Sequence, residues 1–584
     1  MMWNVAMFSN ILYFLIFIVS IEGVPVAKTK YGLIKGQKVT VQFEEKKFKI
    51  VKFLGIPYAK PPVGDLRFRK PEMISSLPTN PFEATTMGAI CPQTNIGVSS
   101  SEDCLFLNIY APLTASKGNR KPVMIYIHGG GFIVGFSDLY DGSILSAYGD
   151  VILVSMNYRL GPLGFFHTKD NESLGNYGLW DQQLAIQWVS EHIEAFGGDN
   201  TRITIFGHSA GGSSVVYQAL YPGNDGLFKR AIAQSGTVAS WAVNRFDSNF
   251  QASMNFATYA GCGGLNSTLM LQCLRNITSA DMTSTTEAYQ ALNPLTLVNK
   301  AWNPVLDNEF VLTATVELLQ EIGDTTRNSK FTTFKNVDLM IGATNLDGNV
   351  FLPNWLHSIN TSSYAPTTGF FGVTSEQFEK VIVPMAAAMF LGEQPCNVTL
   401  DAVKAEYTAP DNLTRRLQNL IDIGTDSALN APSVATARAH RNNSTSTYMY
   451  QFATAFVNQL FPVPPVLLNE ESAGHADDLG FVFGFPGTLL LLFGVNPVNV
   501  TDEQKKVSKA IMTMWTNFAK TGNPNAPVDL QSIYSGLQWP LYETLTEAYL
   551  KITPNMNADS VKTKLAERAV EFWNDELPGI QSSC

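Results

Sequence analysis

From residue 122 onward, short apolar runs alternate with longer stretches of helical period. Residues 123–128 and 151–156 are dominated by apolar and β-branched side chains and end at glycine-rich or polar turns, which predicts buried strands. Trp180, Leu184 and Trp188 recur every fourth residue with Ile186, Val189 and Ile193 interleaved, until Gly197 and Gly198 stop the pattern. That is the signature of an amphipathic helix. The chain then reads as strand (202–206), helix (213–220) and strand (231–234), with later strands over 338–342 and 448–452. Thr501 and Gln504 form a capping box for a helix running through Trp515 towards Gly522. Strand, helix, strand at this spacing implies right-handed crossovers and a mainly parallel twisted sheet flanked by helices, an α/β class of fold. No repeat, low-complexity tract or linker divides the chain.

Composition narrows the class of protein. Of 584 residues, 45% are apolar and 15% charged, which excludes a disordered tail, a coiled coil and a disulfide-stapled miniprotein. A formal charge of −10, without clustered Lys and Arg, is the wrong sign for a polyanion binder, so nucleic acid is not an expected partner.

The opening segment points to export. Residues 11–21 are almost uninterrupted Ile, Leu, Phe, Tyr and Val, broken by Glu22, Gly23 and Pro25. This resembles the apolar region of a signal peptide and is shorter than the ~20 residues of a spanning helix. A signal over 1–23 and a single domain over 24–584 are therefore expected. Neither the short apolar run 489–493 nor the charged tail ending in Cys584 reads as an anchor, so an extracellular protein without an integral membrane anchor is expected. Six cysteines suit that compartment, with local pairing favoured. Closing a loop of about 14 residues, as Cys91 with Cys104 would, stabilises by ~3 kcal/mol on the chain-entropy model. Cys396 and Cys584 could join each other, or Cys584 could reach a second chain. Glycosylation sequons stand at Asn171, Asn266, Asn276, Asn360, Asn397, Asn412, Asn442, Asn443 and Asn499.

Candidate chemistry sits at the predicted strand ends. Gly207, His208, Ser209, Ala210 and Gly211 lie between a strand and a helix, the context in which a G-x-S-x-G turn exposes a nucleophilic serine. His128, Gly129, Gly130 and Gly131 end another strand, and consecutive glycines let backbone N–H groups of Gly130 and Gly131, with that of Ala210, face a developing oxyanion. A serine needs a base. In the order serine, acid, base, four of the seven histidines (128, 167, 192, 208) come too early, and His475, in the small polar loop 474–478, is a better candidate than His357 or His440. Asp347, just beyond the strand predicted over 338–342, is the best-placed acid, although Asp-Gly is also a common surface turn.

These residues carry a resemblance. Phe53 to Ala59, Ser101 to Asn108, Asn157 to Arg159, Gly175 to Gly178, Phe196 to Asp199 and Gln234 to Gly236 resemble stretches of the type-B carboxylesterases, which include cholinesterases and bile-salt-activated lipase. The likeness covers roughly residues 29–524. It implies an α/β-hydrolase fold, a Ser209–Asp347–His475 triad, an oxyanion hole of Gly130, Gly131 and Ala210, and disulfides Cys91–Cys104 and Cys262–Cys273. It implies no metal and no organic cofactor, and a small-molecule or lipid ester as substrate, hydrolysed through an acyl-enzyme. Asp rather than Glu at 347, and Ala476, Asp477, Asp478 after His475, are similar to bile-salt-activated lipase. His208 stands where many relatives have Glu. The Cys91–Cys104 loop lacks the Trp that binds choline in cholinesterases, a cation–π partner worth up to ~2 kcal/mol. The rival readings are a lipase or sterol esterase, and a non-catalytic binding or adhesion protein of the neuroligin kind. Oligomeric state and the pocket walls, Trp241 among their candidates, are not read from sequence.

Overall fold

The computed structural model describes residues 23–584 except 95–96, 240–247, 293–301, 314–330, 359–372, 392–393, 408–412, 442–443, 457–458, 462, 486–488 and 490–499. The expected signal segment up to residue 22, Trp241, most of 489–493, the side chain of His357 and the sequons at Asn360, Asn412, Asn442, Asn443 and Asn499 lie outside the described residues.

The strands are β1 (Val26–Thr29), β2 (Gly32–Lys35), β3 (Gln37–Phe43), β4 (Lys46–Pro57), β5 (Phe82–Glu83), β6 (Phe106–Pro112), β7 (Lys121–Ile127), β8 (Ile152–Met156), β9 (Gly198–His208), β10 (Arg230–Gln234), β11 (Asp338–Thr344), β12 (Thr447–Phe452), β13 (Ala548–Ile552) and β14 (Val561–Thr563). β1, β2 and β5 make a small separate sheet. The others form one sheet of 11 strands in the order β14-β13-β12-β11-β10-β9-β7-β8-β6-β4-β3. From β13 to β8 every neighbouring pair is parallel, while β14 at one edge and β6, β4 and β3 at the other pair antiparallel. The expected parallel sheet is therefore its centre, and β3, β4 and β6, joined by no helical crossover, add the antiparallel edge.

Central strands are apolar on both faces because helices cover both. Along β9, Ile205 enters a core with Ile125, Ala233 and Ile341, whereas the next residue, Phe206, enters a second core with Tyr126, Ile232 and Met340. Alternation of side chains across a strand builds the two layers. The helix Tyr177–His192 carries the predicted stripe, with Trp188, Ile186 and Val189 fully buried. The helix Asp502–Thr521 starts at Thr501, whose side chain accepts from the Gln504 N–H while Gln504 returns the bond, and stops at Gly522 with φ +78°. Gly522 belongs there because that left-handed backbone is costly for other residues. Three disulfides close the chain: Cys91–Cys104, Cys262–Cys273 and Cys396–Cys584. The last decides between the two alternatives left open by sequence.

Candidate active site

Ser209 sits between the end of β9 and the helix Ala210–Leu220, with φ +59° and ψ −123°. A non-glycine residue held there stores on the order of 1–3 kcal/mol, and the surroundings must over-determine it. They do so through backbone contact. A Cβ on Gly207 would lie 2.5 Å from the Gly211 carbonyl oxygen, and one on Gly211 would lie 2.0 Å from that of Ile127. Ser209 N–H donates to the Gln234 carbonyl at 2.8 Å, and the Ser209 carbonyl accepts from Ser213 at 2.9 Å. The helix starts three residues earlier than the periodicity predicted, because the turn feeds directly into it.

The candidate acid and the candidate base arrive on two segments that meet in register. Leu346 and Gly474 form a parallel bridge, and Leu346 N–H donates to the Ala473 carbonyl at 2.9 Å. The residues that follow, Asp347 and His475, are thereby brought side by side, and His475 Nδ1 donates to Asp347 Oδ1 at 2.5 Å. A carboxylate only accepts, so this bond places the ring proton on Nδ1 and leaves Nε2 with its lone pair. Asp347 is fully buried, and its Oδ2 accepts from Ser235 Oγ at 2.6 Å and from Thr344 N–H at 2.8 Å. Asn349 Oδ1 accepts the backbone N–H of His475 at 2.8 Å. His475 packs beside the ring of His208, the serine's neighbour, at 4.6 Å between centroids, and against Phe461 at 5.6 Å.

The glycine loop after β7 lies against the serine turn. A Cβ on Gly129 would meet the His208 carbonyl oxygen at 2.5 Å and Ser209 Cβ at 3.1 Å. Gly130 and Gly131 have φ of +112° and +62°, and the Gly130 carbonyl accepts from both Ile133 and Val134 N–H. Ala210 opens its helix, where an N–H has no intrahelical acceptor and the helix dipole favours negative charge. Buried His128, pushed down to about 4 by burial, stacks on Tyr158, whose hydroxyl donates to the His128 carbonyl at 2.8 Å.

Sequence reasoning missed three supports of this arrangement. Ser235, within the stretch Gln234 to Gly236 that carries the resemblance, holds the Asp347 carboxylate. Asn349 holds the His475 backbone. Gln93, next to the first disulfide, clamps Gly135 beyond the glycine loop, accepting its N–H at 2.9 Å and donating to its carbonyl at 3.1 Å. Only Gln93's place two residues after Cys91 hints at this. The competing histidine His440 is buried far along the sheet and bonds Thr447 and the Val337 carbonyl, a structural role. Among the described residues no cluster of His, Cys, Asp and Glu could hold a metal ion.

The central parallel strands, the covering helices and the strained serine turn at a strand end define an α/β-hydrolase fold. The sequence model of the carboxylesterase family matches residues 23–573, and the chain belongs to that family. Among its relatives is a medium-chain fatty acyl-CoA hydrolase precursor of Anas platyrhynchos, 33% identical over 96% of this chain and 93% of its own length. Bile salt-activated lipase of Bos taurus is 33% identical, over 91% of this chain and 85% of the lipase. Neuroligin-2 of Mus musculus is 32% identical, over 96% of this chain and 68% of the neuroligin.

Proposed function

We propose that the protein is a secreted serine carboxylesterase in which Ser209, His475 and Asp347 form the catalytic triad. The observation that carries this reading is the 2.5 Å bond between His475 and Asp347, made beside the strained turn that bears Ser209. His475 Nε2 takes the proton from Ser209 Oγ as Oγ bonds to the ester carbonyl carbon. The N–H groups of Gly130, Gly131 and Ala210 hold the oxyanion, each such donor being worth ~3 kcal/mol in the transition state. The proton on His475 passes to the departing alcohol, leaving an acyl-serine. Water then repeats the sequence, releasing the carboxylic acid and restoring Ser209. Asp347 fixes the imidazole and stabilises its cation without taking the proton. The cycle balances without a metal or an organic cofactor.

Removal of a signal over 1–23 and folding of 24–584 as one hydrolase domain complete the proposal. Three disulfides support an oxidising compartment. The sequons at Asn171, Asn266, Asn276 and Asn397 are exposed, as glycan acceptors must be. No described helix is long and apolar enough to cross a membrane.

The second reading, a non-catalytic binding protein, is favoured by the neuroligin relatives. A fluorophosphonate probe separates the two, because it reacts only with an activated serine. Label mapped to Ser209, and loss of more than about a thousandfold in kcat in a folded Ser209→Ala protein, are expected. A folded protein that takes no label would make the binding reading the better one. A chain-length series of esters, soluble and emulsified, then separates a general esterase from a lipase or sterol esterase.

A further inference from the structure

Behind the serine one row of the sheet is polar. Register sets His208 of β9 beside Gln234 of β10, Gln234 beside Gly342 of β11, and Gly342 beside Tyr450 of β12. Residues paired in this way point to one face, so His208, Gln234 and Tyr450 share it. The helix Asp477–Phe483 packs on this face and brings in Asp478. Gln234 Nε2 donates to Asp478 Oδ2 at 2.6 Å, and Gln234 Oε1 accepts from the Trp515 indole at 3.3 Å. The other carboxyl oxygen, Asp478 Oδ1, faces His208 Nε2 at 3.8 Å. Both atoms are shut off from solvent and neither makes a hydrogen bond among the described residues. Two such atoms confronting each other in the interior call for a proton between them.

We propose that His208 and Asp478 are positioning residues for His475, sharing one proton as a second imidazole–carboxyl pair behind Asp347 and His475. The inference rests on the esterase reading. Below the pair's titration it is neutral, and Asp347 is the anion that faces the base. Above it, Asp478 adds a second negative charge beside the His475 ring.

The electrostatics agree with the geometry. Burial, aided by the Asp347 charge and opposed by the Gln234 hydrogen bond, pushes Asp478 up to about 7. Burial, then the neighbouring His475, push His208 well below the usual imidazole range. The shared proton therefore resides on Asp478, whose Oδ1 faces His208 Nε2. The other titratable groups facing Asp478 are Asp347, His475, Asp477, Tyr126 and Tyr450. Burial pushes Asp477, Tyr126 and Tyr450 towards their uncharged forms.

The test is the pH profile of kcat/KM for wild type, Asp478→Asn, His208→Gln and the double variant. Asp478→Asn removes the second negative charge, which had favoured the His475 cation. The midpoint of the acid limb should move to lower pH, by roughly half a unit or more. His208→Gln removes the imidazole that holds the proton on Asp478, so the carboxylate forms earlier and the midpoint should move to higher pH. The double variant should follow Asp478→Asn. A merely structural role does not shift the two variants in opposite directions. Midpoints unchanged, or shifted the same way in both, would overturn the proposal. Infrared difference spectra at pH 6 read the pair independently of turnover. A carboxylic-acid band present in wild type and absent in Asp478→Asn is expected, and identical spectra would overturn the proposal too. Wild type that takes no fluorophosphonate label at Ser209 would count against the esterase reading, while the infrared band still reports on the pair.

Discussion

Removal of the Ser235 hydroxyl isolates the support of the buried acid. Asp347 is fully enclosed, and its Oδ2 has two donors, Ser235 Oγ at 2.6 Å and Thr344 N–H at 2.8 Å. Ser235→Ala leaves one, and because Ser235 is itself fully buried no solvent route replaces the other. A hydrogen bond to a charged group contributes about 1.5–3 kcal/mol, so a stability loss of about 2 kcal/mol is expected. In an Asp347→Asn background the same hydroxyl meets a neutral amide, and its removal should cost about 1 kcal/mol or less. The coupling between the two sites is then about 1 kcal/mol, within the range of contacting residues. Equilibrium urea unfolding at pH 8 with disulfides intact, followed by tryptophan fluorescence, measures all four corners of the cycle. If about 1.4 kcal/mol of this support acts in the transition state, kcat falls about tenfold. A loss below about 0.5 kcal/mol, or an equal loss in both backgrounds, would refute the reasoning.

Two further outcomes follow from buried charge. Arg67 and Glu102 are both buried and meet through two bonds of 2.6 Å, with Arg67 Nη1 also donating to the carbonyls of Leu274 and Ile277. Glu102→Ala strands the guanidinium and should lower stability by about 3–5 kcal/mol, whereas the double change Arg67→Met with Glu102→Leu should cost far less; urea unfolding of both checks this. Burial, with the nearby Asp422, pushes Asp426 up to about 7. The folded state then holds a proton that the unfolded state releases near pH 4, so the stability it contributes is present in acid and lost as pH rises through about 7. Asp426→Asn should therefore stabilise more at pH 8 than at pH 5, by roughly 1–3 kcal/mol, and unfolding curves at the two pH values that coincide would contradict the assignment.

The local patterns were strong enough to be legible because they are written in neighbouring residues. The serine turn needs Gly207 and Gly211 close in sequence, since the same few residues form the strand, the turn and the helix. The stripe from Trp180 to Ile193 and the Thr501–Gln504 cap are equally local, and both elements stand where the pattern put them. Boundaries were less secure: β9 runs from Gly198 to His208, well beyond the predicted 202–206, because pairing with β7 and β10 extends it past its apolar core.

What the chain could not express alone is contact between segments far apart in sequence. Sequence made Asp347 the best-placed acid by position but could not show its contact with His475, which the Leu346–Gly474 bridge makes by setting the two segments in register. The hydroxyl of Ser235, the amides of Asn349 and Gln93, and the proximity of His208 to Asp478 have no local signature, since each partner lies on another strand or loop. The pairing of Cys396 with Cys584, 188 residues apart, belongs with them. Periodicity and turn chemistry act over a few residues and so determine the elements and the turn that bears Ser209. Only the assembled sheet fixes which buried charge finds which partner, because that depends on strand order and register.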